Sequence, residues 1–294
     1  MKILVTGARG FLGGSVMRHA ERLGHRVVSV DRAALREGTL AERVAAEAPD
    51  VVLHAAGKAS VAASIAAPRD DFEGSVATWA ALLEAVRRSG TRPVVILPSS
   101  AAVYGDPAAL PVREDAPARP ISPYGFHKLC CETLADEYAA CFGLDVIVAR
   151  LFSVFGPAQR RLLVWEIYAQ LAGPEEVVTL GGTGRETRDF LHVDDVAEAL
   201  IRLAGSPARG LVGRAEVVNV ASGEETAVLA LAERLRDLVA PGKRITCLGA
   251  PRPGDPQRWR ADVSRIEARI APFRPRPLAE ALAACVEAWR RETA

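Results

Sequence analysis

Tyr124 and Lys128 are the residues whose types and spacing point most directly to chemistry. Ser122 suits the cap of a helix and Pro123 its first position, so Tyr124 and Lys128, four residues apart, are expected on one helical face. A phenol is a poor base at neutral pH, but a neighbouring ammonium favours its ionised form. The pair therefore predicts a tyrosine that moves a proton with the help of a lysine.

Two serines add hydroxyl groups to this chemistry. Ser99 and Ser100 end a short apolar run in the segment PSSAAVYG at 98–105. Parallel sheets place their ligands at the carboxyl ends of their strands. A serine there can hydrogen-bond a substrate oxygen while Tyr124 moves the proton. We therefore predict Ser100 as a catalytic residue beside Tyr124 and Lys128, and Ser99 as a cofactor contact.

A phosphate-binding turn is predicted near the N-terminus, in the segment GARGFLG at 7–13. One glycine of such a turn makes the tight bend, one admits a pyrophosphate, and one packs a helix on a strand. The start of the helix adds free N–H donors and a partial positive charge. The segment therefore predicts a dinucleotide-binding turn built from Gly7, Gly10, Phe11, Leu12 and Gly13.

Asp31 ends the next expected strand and bears on which dinucleotide is bound. A carboxylate at this place can accept both ribose hydroxyls of NAD and repels a 2′-phosphate. Arg9 and Arg32 favour the opposite choice, because either guanidinium could pair with that phosphate. We expect NAD as the cofactor, with Asp31, Arg9 and Arg32 near it and NADP as the alternative.

The elements that must position these residues alternate along the chain. Short β-branched runs predict strands over 2–6, 26–30, 50–54, 93–97 and 144–149. Apolar stripes predict helices over 11–23, over 72–88 and from about Ser122 onward. Strands that alternate with helices form a parallel sheet covered on both faces. The predicted fold class is α/β, a Rossmann-type doubly wound parallel sheet.

The alternation loosens after residue 155, where Gly, Pro and Arg interrupt the elements. We expect a dinucleotide-binding domain over 1–155. A smaller, irregular α/β substrate-binding domain is expected over 156–294. Part of 188–220 is expected to return to the first domain.

The overall composition disfavours several function classes. Among 294 residues, 49% are hydrophobic, and 37 Lys and Arg against 36 Asp and Glu leave a formal net charge of +1. A chain this neutral lacks the basic surface of nucleic-acid and membrane binders. No run approaches the length of a transmembrane helix. The five cysteines form no CxxC pair, so we expect no metal site and a reducing cytoplasm.

The order of motifs resembles the extended short-chain dehydrogenase/reductase family, the NAD-dependent epimerases and dehydratases of nucleotide sugars. TGARGFLG at 6–13 resembles TGxxGFxG, DVVLHAA at 50–56 resembles DxVxHxAA, and SPYGFHK at 122–128 carries the Tyr-x-x-x-Lys pair. RDFLHVDD at 188–195, VNV at 218–220 and RPGD at 252–255 match segments of the family's substrate domain. The similarity covers nearly the whole chain.

The resemblance implies that a nucleoside-diphosphate sugar binds with its C4 oxygen near the nicotinamide of NAD. By position, Ser100 and Tyr124 contact that oxygen, Lys128 holds the nicotinamide ribose, and Ala55 and Ala56 belong to the cofactor site. Arg188 and Arg252 meet the diphosphate, because an arginine fork suits it. Further substrate contacts are implied at Ser153, Asn219 and, for the nucleoside ribose, Asp255.

Two alanines after Ser100 narrow the reaction. Where the family's dehydratases and decarboxylases carry acidic residues, this chain has Ala101 and Ala102, and a methyl group cannot move a proton. We expect an NAD-dependent epimerase that acts at C4 through a transient 4-keto intermediate. The alternative is an NAD(P)H-dependent reductase of a 4-keto nucleotide sugar. A non-catalytic dinucleotide sensor is the remote alternative, because such proteins typically lose the Tyr or the Lys.

The helices at 72–88 and 123–142 carry apolar residues beyond one stripe, at Trp79, Phe126, Leu129 and Leu134. The family pairs these two helices across a two-fold axis into a four-helix bundle. The resemblance therefore implies a homodimer.

Overall fold

The computed structural model describes residues 1–31, 39–206, 213–250 and 254–293. Within these ranges the strands are β1 (Lys2–Thr6), β2 (Arg26–Val30), β3 (Val51–His54), β4 (Val94–Ser100), β5 (Asp145–Leu151), β6 (Ser153–Phe155), β7 (Val177–Leu180), β8 (Thr187–Arg188), β9 (Phe190–His192), β10 (Glu216–Val220), β11 (Thr226–Ala227) and β12 (Arg244–Cys247). The helices are α1 (Phe11–Arg22), α2 (Leu40–Glu47), α3 (Val61–Ala66), α4 (Pro68–Phe72), α5 (Thr78–Ser89), α6 (Pro123–Phe142), α7 (Leu163–Ala172), α8 (Val193–Gly205), α9 (Val228–Val239), α10 (Ser264–Ile270) and α11 (Leu278–Thr293).

A parallel sheet with the strand order β10-β5-β4-β3-β1-β2 runs through the described part of the chain. The chain first places β2 outside β1 and then crosses to β3 on the other side of β1. The strand order therefore reverses between β1 and β3. Ligands of open parallel sheets bind beyond the carboxyl ends of the strands at such a reversal. β10 comes from the second half of the chain and forms an edge of this sheet.

The residues of β1 explain why helices cover both faces of the sheet. Ile3 and Val5 lie in one apolar layer with α1, α8 and α10, whereas Leu4 lies in the other with α2, α5 and α6. Successive residues of a strand point to opposite faces, so a strand buried on both sides is apolar throughout. The predicted α/β doubly wound sheet is confirmed.

The second half has an apolar core of its own beneath α7, α9 and α11. Trp289 of α11 is buried against Tyr168 and Trp165 of α7, with ring centroids 4.5 and 5.3 Å away. Short strand pairs, β7 with β12 and β8 with β11, replace a large sheet here. In the described part, no helix is long and apolar enough to cross a membrane.

The helix predicted over 72–88 differs from the structure. Its place is taken by α4, a π-helical turn over Glu73–Ala77, and α5. A side chain at Gly74 in this turn would meet the stem of Lys58, with the Lys58 Cε only 2.8 Å from an added Cβ. The missing side chain at Gly74 thus leaves room for the Lys58 stem. Apolar periodicity along the chain cannot indicate such a contact.

Candidate active site

A cleft of about 720 Å³ opens where the strand order reverses. Its walls include the segments that follow β1, β3 and β4, the first turns of α6, and loops of the second half around residues 158–164 and 254–259. The turn after β1, the pair Tyr124–Lys128 and the loops of the second half, which lie far apart in the sequence, therefore meet in one cavity.

The turn after β1 has no room for side chains at two glycines. Gly7 has a φ of +71°, and a Cβ there would lie 2.6 Å from the Ala56 nitrogen. A Cβ on Gly13 would lie 2.3 Å from the Gly7 carbonyl oxygen. Gly7 therefore makes the tight bend, and Gly13 lets α1 pack directly on it, which are two of the roles that the spacing predicts.

The first turn of α1 suits an anion. Its N-cap is Gly10, and no side chain in the described ranges caps the helix there. Gly10, Phe11 and Leu12 line the cleft. Because the N–H groups of an uncapped first turn have no partner within the helix, they and the helix dipole favour a phosphate group. The residues present thus fit the pyrophosphate of NAD.

The start of α6 is held by two serines. The Ser122 Oγ accepts a hydrogen bond from the Gly125 N–H at 3.2 Å, and Pro123 takes the first helical position, as predicted. The buried Ser64 of α3 accepts the Tyr124 N–H at 3.0 Å. These bonds fix the backbone of Tyr124 at the edge of the cleft.

Tyr124, Lys128 and Ser100 all line the cleft. The Lys128 Nζ lies 5.8 Å from the centre of the Tyr124 ring and donates to the Pro98 carbonyl at 2.9 Å. The Ser100 Oγ accepts the Ala102 N–H at 3.1 Å, which leaves the hydroxyl proton available for a ligand. The structure therefore brings the three predicted catalytic residues together.

Ser99 also lines the cleft, but its hydroxyl proton is donated to a carboxylate of α6. Its hydroxyl donates to the Glu132 Oε1 at 2.5 Å, and the residue is buried. Neighbouring residues of a strand point to opposite sides, and the hydroxyls of the two serines accordingly have different partners, Glu132 for Ser99 and the Ala102 N–H for Ser100. The cofactor contact of Ser99 therefore stays a prediction, and the hydroxyl proton of Ser99 is held by Glu132. Glu132 was not recognised in the sequence, although it follows Lys128 at helical spacing.

His54 lies at the end of β3 and lines the cleft beside Ala55 and Ala56. Its Nδ1 is 2.9 Å from the Thr6 hydroxyl oxygen, and its Nε2 has no hydrogen-bond partner in the described ranges. Burial, and secondarily the charge of Lys128, lower the pKa of His54 to about 3. The imidazole is therefore neutral at physiological pH and adds no charge to the cleft.

Arg188 and Asp255 lie together on the wall formed by the second half. The Arg188 Nη2 is 3.8 Å from the Asp255 Oδ2. The Nη1 donates to the carbonyls of Thr187 and Pro256, both at 2.8 Å, and the guanidinium lies 5.3 Å from the Trp259 ring centre. These contacts hold the arginine in place, and its charge suits a diphosphate. The role of Trp259 was not evident from the sequence.

Ser153 also lines the cleft. Asn219 does not line it and is fully buried. The Asn219 Oδ1 accepts the Tyr104 hydroxyl at 2.6 Å, and its Nδ2 donates to the Val112 carbonyl at 2.9 Å. The predicted substrate contact by Asn219 is therefore corrected, because its amide joins the end of β10 to the segment after β4.

The residues expected to choose the dinucleotide are only partly described. Arg9 and Asp31 are exposed, Arg9 in the turn after β1 and Asp31 directly after β2. Neither lines the cleft. Arg32 lies outside the described residues, and so does Arg252, which was predicted to contact the diphosphate of the substrate.

Comparisons with known proteins agree with this arrangement. Residues 3–221 match the model of the NAD dependent epimerase/dehydratase family. The UDP-glucose 4-epimerase of Mycolicibacterium smegmatis is 32% identical, with 100% of both chains covered.

Two solved structures are similar over almost their whole length. MoeE5 in complex with UDP-glucose and NAD has a TM-score of 0.88 at 29% identity and 100% coverage of both chains. RMD from Pseudomonas aeruginosa, complexed with NADPH, has a TM-score of 0.88 at 27% identity and 99% coverage of both. The family match across three quarters of the chain and the relative that is similar from end to end show that this protein belongs to the NAD-dependent epimerase/dehydratase family.

Proposed function

We propose that the protein is a nucleotide-sugar 4-epimerase that uses NAD and regenerates it in each turnover. The observation that carries this proposal is the cluster of Tyr124, Lys128 and Ser100, which lines one cleft together with the uncapped start of α1 and the Arg188–Asp255 pair. Such a cluster can take a proton from a sugar hydroxyl beside a dinucleotide and return it later.

Each of the three residues has a separate task in this mechanism. Tyr124 takes the proton of the C4 hydroxyl and gives it back when the hydroxyl is formed again on the other face. The Ser100 hydroxyl donates to the C4 oxygen and holds it in place. The Lys128 ammonium, close to the Tyr124 ring, stabilises the phenolate. When bound at the turn after β1, NAD supplies the acceptor for the C4 hydride.

The wall beyond Ser100 supports epimerisation over loss of water. Ala102 lines the cleft, and Ala101 is fully buried. The next titratable side chain, Tyr104, donates its hydroxyl proton to Asn219. Burial raises the pKa of Tyr104 to about 12. A dehydratase needs a second proton-transferring group near the sugar, and this segment supplies none.

We propose a UDP-hexose as the substrate, since the relative that is similar along its whole length is named a UDP-glucose 4-epimerase. Arg188 would pair with the diphosphate, and Asp255 would accept hydrogen bonds from the nucleoside ribose. Arg252 is proposed as a second diphosphate contact, because it begins the RPGD segment that ends at Asp255. Ser153, which lines the cleft, would meet the sugar.

The test is to incubate the purified protein with UDP-glucose, UDP-galactose and GDP-hexoses without added cofactor and to follow C4 inversion by NMR. Tyr124→Phe should lower the rate by about 10²–10⁴-fold, the usual worth of a positioned general base. Tyr138→Phe is the matched control, because Tyr138 lies on the same helix and its hydroxyl is 3.4 Å from Glu84, outside the cleft. Equal rates in the two variants would refute the role of Tyr124.

A 4-ketoreductase is the second candidate. It is favoured by the structural similarity to RMD, which was solved with NADPH. A reductase consumes one reduced nicotinamide for each sugar. Stoichiometric oxidation of NADH or NADPH by a 4-keto nucleotide sugar, without C4 inversion of any hexose tested, would establish this alternative and refute the epimerase.

We also propose that two copies of the chain associate through α5 and α6. Phe126 of α6 is 54% exposed, which makes it the strongest candidate for a subunit contact among the four apolar residues predicted there. Trp79 has to be withdrawn from that set. It is fully buried in its own chain, and its Nε1 donates to the Cys131 carbonyl at 2.9 Å. Leu129 and Leu134 are half-buried.

A further inference from the structure

A buried ion pair joins the helix that carries Tyr124 and Lys128 to the strands beneath it. The Arg150 guanidinium donates to both oxygens of the Glu132 carboxylate, from Nη2 to Oε2 at 2.7 Å and from Nε to Oε1 at 3.1 Å. Both side chains are only 7% exposed. Burial by itself would lower the pKa of Arg150, but the bonds to Glu132 raise it, so the guanidinium remains charged.

Each partner of the pair has further contacts. Glu132 accepts the Ser99 hydroxyl at 2.5 Å, which connects α6 to the end of β4. The Arg150 Nη1 donates to the Glu114 carbonyl at 3.0 Å, and the guanidinium lies 4.7 Å from the Tyr104 ring centre. Each charged group of the pair therefore has at least one further partner besides the other: Ser99 for Glu132, and the Glu114 carbonyl and the Tyr104 ring for Arg150.

Glu132 lies four residues after Lys128 on α6. Opposite charges four residues apart on a helix normally attract each other. Both residues lie in described parts of the chain, and no ion pair joins them there. The Lys128 Nζ instead donates to the Pro98 carbonyl and lies beside Tyr124. Because Arg150 neutralises Glu132, the ammonium is left for the cleft.

We propose that the pair Glu132–Arg150, together with Ser99, holds α6, the helix that carries Tyr124 and Lys128, in its position relative to β4. This inference rests on the proposed role of Tyr124 and Lys128. Adjacent residues of β4, Pro98 and Ser99, are tied to successive turns of α6 through Lys128 and Glu132. These two links set the distance between Ser100 on β4 and Tyr124 on α6. None of the three positioning residues takes part in proton transfer.

Stability alone does not account for a buried ion pair at this place. Replacing such a pair by apolar residues of similar size is often neutral or stabilising, because burying two charges is costly. The chain has a second pair of the same kind, Arg269–Glu216, with 9% and 8% exposure and an Nε–Oε1 distance of 2.6 Å. Glu216 begins β10, at the opposite end of the sheet from the cleft. It therefore serves as a matched control.

The experiment compares two double variants and two single variants in the epimerase assay. Glu132→Leu with Arg150→Met removes both charges at once, so that neither is left buried alone. We expect kcat to fall about 10- to 100-fold, as for an approximately 1 Å misplacement of reacting groups, with KM within about twofold of the wild type. Glu216→Leu with Arg269→Met should leave both constants within about twofold.

The single variants test the link through Ser99 without disturbing the ion pair. Ser99→Ala should lower kcat, and Ser99→Thr, which keeps the hydroxyl, should restore most of it. A kcat within about twofold of the wild type in Ser99→Ala and in the folded Glu132→Leu/Arg150→Met protein would overturn the inference. So would a rise of KM with unchanged kcat, because it would make Ser99 a ligand contact.

A readout without substrate separates this inference from the proposed function. The chain has four tyrosines, so labelling with 3-fluorotyrosine gives few ¹⁹F resonances, and Tyr124→Phe assigns that of Tyr124. This resonance should move in Ser99→Ala and return in Ser99→Thr, while that of Tyr168, in the core of the second half, stays in place. An unmoved Tyr124 resonance would refute positioning even if the protein is an epimerase. A moved resonance in a protein without C4 inversion would refute only the proposed function.

Discussion

Replacement of Gly13 by alanine should weaken NAD binding strongly without unfolding the protein. A Cβ at this position would lie 2.3 Å from the Gly7 oxygen and 2.8 Å from the Gly7 carbonyl carbon. Both neighbours are backbone atoms of the tight turn, so they cannot rotate away. The distance between the added Cβ and the Gly7 oxygen has to grow from 2.3 Å to more than about 3 Å. The first turn of α1 must shift by most of that increase.

Two free energies follow from this displacement. Overpacking of a tight contact costs typically about 1–3 kcal/mol of stability. The N–H donors of Phe11 and Leu12 move with the helix, and a hydrogen bond to a charged group contributes about 1.5–3 kcal/mol. Since about 1.4 kcal/mol corresponds to a tenfold change in affinity, we expect the Kd for NAD to rise by about 10- to 100-fold.

The measurement is a calorimetric titration of cofactor-free protein with NAD, combined with urea unfolding. Gly14→Ala is the matched control, since it lies in the same helix. Its added Cβ would lie 3.3 Å from the Ala8 oxygen, a contact that needs only a small adjustment. Alanine also stabilises a helix by about 1 kcal/mol relative to glycine. If Gly13→Ala bound NAD as tightly as Gly14→Ala, the packing of α1 on the turn would not be what forms the phosphate site.

Three further predictions concern other parts of the molecule. Asp31→Ala should weaken NAD binding and improve NADP binding relative to it, and a tighter Kd for NADP than for NAD in the wild type would contradict the proposed role of Asp31. His54 stays neutral in the folded protein down to about pH 3, whereas an unfolded histidine takes up a proton near pH 6.5. Acidification therefore favours the unfolded state. Between pH 7 and pH 5 the free energy of unfolding should fall by about 2 kcal/mol more in the wild type than in His54→Gln, measured with urea. Phe126→Glu should convert a dimer into monomers in sedimentation velocity, whereas Leu248→Glu, at a site 71% exposed elsewhere on the surface, should not; an unchanged dimer in Phe126→Glu would place the interface on another face.

Local signals in the sequence predicted the elements and much of the cleft. The packing at Gly13 and the helix start at Ser122 each depend on residues only a few positions apart. Strand ends and helix starts of an alternating α/β chain meet at one edge of the sheet. The convergence of Ser100 and Tyr124 therefore followed from the order of the elements.

The direction of individual polar side chains was decided only by the tertiary structure. Ser99 and Ser100 are identical in type and adjacent in sequence, and both line the cleft, but the Ser99 hydroxyl donates to Glu132 whereas the Ser100 hydroxyl proton is left for a ligand. Asn219 is held away from the cleft by Tyr104, more than a hundred residues earlier. Such a hydrogen bond needs both partners in place. Periodicity along the chain reports which face of an element is apolar, but it does not report which distant donor or acceptor a buried polar group will find.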